Sequence, residues 1–195
     1  MRSLLELLAT VAVAVAAAWL LQAFVIKPYR IPSGSMIPTL DIGQRVLVQR
    51  IDTHPSLGEI VVFHPPAGAN PMPAVCGDRA EGTGQARPCD RPTARESSQT
   101  FIKRVVGLPG DRISIRDGHV FRDGRRERAP YAEPCDGMSG CTFSQTITVP
   151  RGDYYVMGDN RPVSDDSRFW GPVPQRWIIG TAIATYWPLD RIGTL

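Results

Sequence analysis

The sequence predicts a mostly β protein: an antiparallel β-sheet domain carried on one N-terminal transmembrane helix. Three observations lead there. The stretch LLATVAVAVAAAWLLQAFVI, Leu7 to Ile26, holds no charge and is long enough for a helix to cross the ~30 Å of a bilayer's hydrocarbon. Beyond it, apolar residues come in short β-branched runs separated by Gly, Pro and Asp, the pattern of strands and turns. No later segment carries the apolar period of an amphipathic soluble helix.

Taken in order, the apolar run ends on Trp19 and Phe24 with Lys27, Tyr29 and Arg30 behind them, the arrangement of an interfacial anchor. A cleavable leader is the competing reading, but such leaders have a shorter apolar region, ~7–15 residues, and a small-residue cleavage site. Here Lys27-Pro28-Tyr29 follows instead. Prolines at 28, 32 and 38 then forbid a long helix, so FVIKPYRIPSGSMIPTL is extended chain broken by a turn. QRVLVQRI (44–51) and EIVVFH (59–64) read as strands. Residues 65–100, dense in Pro, Gly, Arg and Ser, form an insertion between two core strands. FIKRVVG (101–107) is a strand, and RISIRDGHVFRDGRRE a hairpin around Asp-Gly pairs. TFSQTITVP, DYYVMGD and WIIGTAIATYWPL complete the strands. The division expected is an anchor at 1–28, a β-rich core of 29–112 and 149–195 carrying the 65–100 insertion, and an inserted β-hairpin subdomain at 113–148.

A net charge of +3, with basic residues interleaved with acids, gives no nucleic-acid footprint. Cys76 and Cys89 fall in one loop, Cys135 and Cys141 in another. Neither pair has zinc spacing, and His54, His64 and His119 are too few to complete a metal site, so no metal or other cofactor is expected. Two local disulfides are the favoured reading and four free thiols the alternative. Disulfides imply an oxidising, extracytoplasmic compartment. Charge alone points the other way, since Arg2 precedes the helix while Lys27 and Arg30 follow it.

Of the 22 basic Lys and Arg residues only Lys27 and Lys103 are lysines. Lys103 sits among Phe101, Ile102, Val105 and Val106, where a cation is costly. A buried lysine can give up its proton and act as a base, which arginine cannot. A base needs a nucleophile, and PSGSM offers Ser33 and Ser35 around Gly34 in a tight turn that can present a hydroxyl beside a backbone N–H. No S-x-x-K, G-x-S-x-G, H-E-x-x-H or P-loop pattern occurs.

IPSGSMIPTL, LGEIVVF, FIKRVVGLPGD and MGDNRPVSDDSRFWGPVP together resemble, in content and order, the conserved boxes of bacterial type I signal peptidases, the membrane-anchored Ser/Lys proteases that remove signal peptides. The resemblance implies Ser35 as nucleophile, Lys103 as general base, Ser33 as a side-chain oxyanion donor and Ser164 as the group that orients the lysine. Gly158, Asp159, Asn160, Arg161, Asp166 and Arg168 would buttress the site. Two departures stand out: Pro162-Val163 replace a common Asp-Asn pair, and Glu59 replaces an aspartate. Ile31, Met36, Phe101 and Ile102 are expected to line pockets for alanine-sized side chains. RFWGPVP, with Trp170, is expected to face the bilayer. The partners implied are signal peptides of secretory preproteins and the lipid bilayer, with the catalytic domain on the extracytoplasmic face of the cell membrane. A specialised processing peptidase of the same fold, resembling pilin maturases, and a catalytically impaired envelope-binding homologue are the alternatives.

Overall fold

The computed structural model describes residues 2–70 and 73–195, with the backbone alone at positions 2, 5, 18 and 20–24 of the N-terminal helix. That helix, α1, spans Arg2–Phe24. Its described apolar side chains, Leu7, Val11, Val15 and Trp19 among them, are exposed. Among the described residues no helix is long and apolar enough to cross a membrane. The side chains at positions 18 and 20–24 of the Leu7–Ile26 run, Phe24 among them, lie outside the described set.

Among the described residues twelve strands follow: β1 (Ile26–Arg30), β2 (Arg45–Gln49), β3 (Ile60–Phe63), β4 (Phe101–Gly107), β5 (Arg112–Arg116), β6 (His119–Arg122), β7 (Arg125–Arg126), β8 (Phe143–Thr148), β9 (Asp153–Met157), β10 (Val173–Pro174), β11 (Ile178–Trp187) and β12 (Gly193–Thr194). The larger, eight-stranded antiparallel sheet runs β1-β2-β11-β3-β4-β9-β10, with β12 paired to the end of β11. Its central strands are covered on both faces. From β3, Ile60 and Val62 enter a cluster with Ile31, Met36, Leu40, Val46 and Ile102, while Val61 and Phe63 enter another with Val105, Val156, Trp170 and Trp177. Two-sided burial explains why EIVVF and FIKRVVG read as continuous apolar runs rather than as alternating ones.

The segment expected to form one hairpin makes a four-stranded sheet, β7-β6-β5-β8. Its first turn is Asp117-Gly118, both at positive φ (49° and 75°), the conformation a two-residue hairpin needs. Asp123-Gly124 repeats the device between β6 and β7. Val106, Tyr155 and Met157 of the large sheet pack against Ile113, Ile115, Val120, Phe143 and Ile147 of the small one.

The 65–100 insertion leaves from Phe63 and returns at Phe101, which are register partners. Its cystine, Cys76–Cys89, has an S–S distance of 1.96 Å, and Cys135–Cys141 one of 2.08 Å. The insertion docks through its backbone, with Cys89 N donating to the Arg168 carbonyl at 3.0 Å. A one-turn helix absent from the sequence reading, α2, spans Ser167–Trp170. Its cap is the Asp166 side chain, which accepts from Arg168 N. This turn corrects the expectation for RFWGPVP. Trp170 is fully buried, its ring centroid 5.9 Å from that of Phe63, because α2 aims the indole into the core and away from any bilayer.

Candidate active site

The serine turn is a single 3-10 turn, Gly34–Met36, placed between two buried anchors, Ile31 and Met36. Asn160 fixes it from outside, donating from its backbone N to the Ser35 carbonyl at 3.1 Å and from Nδ2 to the Gly34 carbonyl at 3.2 Å. Lys103 comes from β4, whose pleat sets Phe101, Lys103 and Val105 on one face. Its Nζ donates to Ser35 Oγ at 2.6 Å and lies 5.5 Å from the Phe101 ring centroid. Both residues are buried, at 4% exposure for Lys103 and 8% for Ser35. Burial pushes the Lys103 amine down from 10.5 to about 8, against the attraction of the Asp166 and Asp165 carboxylates. The Ser33 hydroxyl stands 3.5 Å from Ser35 Oγ.

A loop, residues 158–168, closes the far side. Arg168 grips Asp166 in a two-pronged pair, Nε to Oδ1 at 2.8 Å and Nη2 to Oδ2 at 2.9 Å. The same guanidinium donates to the carbonyls of Arg161 (2.7 Å) and Ser164 (3.0 Å), tying the loop's two arms together. Burial raises the Asp166 carboxyl, but the charge and hydrogen bonds of Arg168 outweigh it and hold the group below the usual carboxylate range. Asp159 is matched in the same way by Arg104, with contacts of 2.8 and 2.6 Å, and accepts from Thr39 Oγ1 at 2.5 Å. Arg161 reaches Glu127 at 2.5 Å, and the Gly118 carbonyl, joining the loop to the small sheet. Gly158 is where the loop meets the serine turn: a Cβ there would meet the Ser164 side chain and the Ser35 carbonyl.

Ser35 and Lys103 open onto a cleft of about 660 Å³, walled by Ser33, Phe101, Ile102 and Asp165. A smaller cavity of about 70 Å³ adjoins it, lined by Ile31, Val62, Phe101 and Ile102. Met36 lines neither and is packed into the core. Ser164 is brought beside the site, but among the described residues its buried hydroxyl has no hydrogen-bond partner; it faces the Asp166 carboxyl without reaching bonding geometry. The sequence reading passed over Arg104, Thr39 and Asp165. The doubled aspartate in SDDSR was the available sign of the last.

The family described as "Signal peptidase, peptidase S26" matches residues 4–187. The chain belongs to this family. It is 37% identical over 187 residues to a protein named probable signal peptidase I-1 from Synechocystis sp., covering 94% of this chain and 82% of that one. It is 35% identical over 196 residues to the signal peptidase I of Leptolyngbya laminosa, covering 98% and 84%. A crystal structure of a signal peptidase I from Enterococcus faecalis is 24% identical, with a TM-score of 0.40 over 65% of this chain and 95% of that one. In this signal-peptidase-family chain the serine turn, β4 and the 158–168 loop meet around one cleft, and β3 reaches the small cavity beside it through Val62.

Proposed function

We propose that Ser35 is the nucleophile and Lys103 the general base with which this signal peptidase cuts signal peptides from exported preproteins. The observation that carries the reading is the 2.6 Å hydrogen bond between Nζ and Oγ in a buried, cleft-lining position. The neutral amine takes the Ser35 proton as Oγ attacks the scissile carbonyl, and the C=O pair moves onto oxygen. In this reading the Ser33 hydroxyl, 3.5 Å from Ser35 Oγ, donates to that oxyanion. Collapse expels the new amine, which receives its proton from Lys103, and leaves an ester on Ser35. A water, deprotonated by Lys103, then hydrolyses the ester. The small cavity beside Phe101 and Ile102 receives a substrate side chain next to the dyad.

Lys103→Arg keeps the charge and removes the base. It is expected to lower kcat/KM on an Ala-x-Ala preprotein by ~10³-fold or more, and near wild-type cleavage would refute the dyad. For location, we take the Leu7–Ile26 run as a single-pass anchor and the two cystines as support for an extracytoplasmic catalytic side. With Trp170 buried, the exposed apolar side chains of Ile42, Trp187, Leu189 and Ile192 are the better candidates for bilayer contact. Cleavage of a vesicle-borne preprotein by Trp187→Ser tests this, and undiminished activity would count against it.

A further inference from the structure

Ser164-Asp165-Asp166-Ser167 sets two carboxylates side by side, and the fold treats them oppositely. Asp166 is fully buried, held by the Arg168 fork and by Gly158 N at 3.1 Å. Asp165 is half-buried on the cleft wall with Ser35 and Lys103. Its Oδ1 is buried and, among the described residues, has no hydrogen-bond partner. The indole Nε1 of Trp170 is likewise buried without a partner and faces this carboxyl.

The charges that act on Lys103 are Asp166, Asp165 and Asp159, which attract its cation, and Arg168, which repels it. Two of the three carboxylates already have a guanidinium of their own, Arg168 for Asp166 and Arg104 for Asp159. Asp165 is the unmatched one. An ammonium also carries three donors, and Lys103 places one on Ser35 Oγ. The hydroxyl of Ser164, on which the family resemblance places the orienting role, has no hydrogen-bond partner among the described residues.

We propose that Asp165 is a positioning residue for Lys103: its unmatched carboxylate, fixed on the cleft wall, holds the amine against Ser35 and sets the protonation state in which the enzyme meets substrate. The proposal rests on the dyad reading above. Burial, reinforced by the charge of Asp166, pushes the Asp165 carboxyl up to about 7, while burial brings the Lys103 amine down to about 8. Each group's charge acts on the other's affinity, so the two titrations are linked. Ionised Asp165 favours charged Lys103, so removing the carboxylate must let the lysine deprotonate at lower pH.

The chain's two lysines make this directly measurable. Protein labelled with ¹³C and ¹⁵N in lysine gives two side-chain signals, with Lys27 as the internal reference. In Asp165→Asn the Lys103 midpoint is expected to fall by about half a unit or more, a ~threefold rise in relative kcat/KM on the acid side of the profile. Asp165→Glu is expected to restore the wild-type midpoint, and Asp165→Ser repeats the measurement should the Asn variant not fold. An unmoved midpoint in the charge-removing variants, including one accompanied by a uniform loss of kcat/KM at every pH, overturns the proposal. If Lys103→Arg is inactive while the Asp165→Asn midpoint is unmoved, this inference fails and the dyad stands. If Lys103→Arg is active, the dyad itself fails.

Discussion

Ser35 and Lys103 meet at 2.6 Å but are held by opposite means. Lys103 belongs to a strand paired on both sides, to β3 through Val61 and to β9 through the flanking residues, with apolar clusters on both faces. Its place is set by the whole sheet. Ser35 sits on one 3-10 turn whose position depends on Asn160, on Gly158 and on the Arg168–Asp166 pair behind them. Injury to the strand therefore lowers stability first, whereas injury to the turn's supports lowers activity out of proportion to stability. A site built from one rigid and one propped half is most sensitive at the prop.

The largest effect expected is from Arg168→Met, which leaves Asp166 buried without its cation: a loss of about 3–5 kcal/mol in stability and, in the protein that remains folded, a further loss of kcat/KM. Urea denaturation measures the first, and a loss under ~1 kcal/mol would mean that the pair does not lock the loop. Next is pH. Only neutral Lys103 can accept the Ser35 proton, and burial has brought the amine to about 8, so kcat/KM is expected to climb through pH 8. At pH 6 it is then about a hundredfold below its alkaline plateau, whereas a limb above ~10 would show a solvent-exposed lysine. Gly158→Ala follows: the new Cβ would stand 2.6 Å from Ser164 Cβ and press on the Ser35 carbonyl. A cost of about 1–3 kcal/mol in stability is expected, with a loss of kcat larger than that shift explains. The smallest is Asn160→Ala, about 1 kcal/mol from the lost contact to the Gly34 carbonyl. If its Tm falls while kcat holds, the contrast between sheet and prop is wrong.

The strand half of the site was the more legible in the sequence. β3 and β4 announced themselves as apolar runs, and a lysine in such a run stands out in a chain otherwise rich in arginine. Asp-Gly fixed both hairpin turns through backbone geometry that depends on those two residues alone. The propped half was not legible, because its logic is pairwise and distant. Nothing local to SDDSR says which aspartate Arg168 will take, or that Asp159 belongs to Arg104, its partner 55 residues earlier. Trp170 illustrates the same limit. An aromatic beside Gly and Pro carries no period, so core and membrane surface read alike, and only the one-turn helix aims it inward. TFSQTITVP was legible as a strand, but its pairing with β5 was not, because the partner lies roughly thirty residues earlier in the chain.

The scarcity of lysine has a practical side in how the protein is handled. An amine whose proton affinity has dropped to about 8 is partly free base in neutral buffer, and free amines are what electrophiles attack. Isocyanic acid, which accumulates in ageing urea, is small enough for the cleft and adds across an N–H bond to leave a carbamoylated, non-basic side chain. Folded protein kept in dilute aged urea, below its unfolding range, is therefore expected to lose activity with a mass increase at Lys103 that fresh urea does not produce.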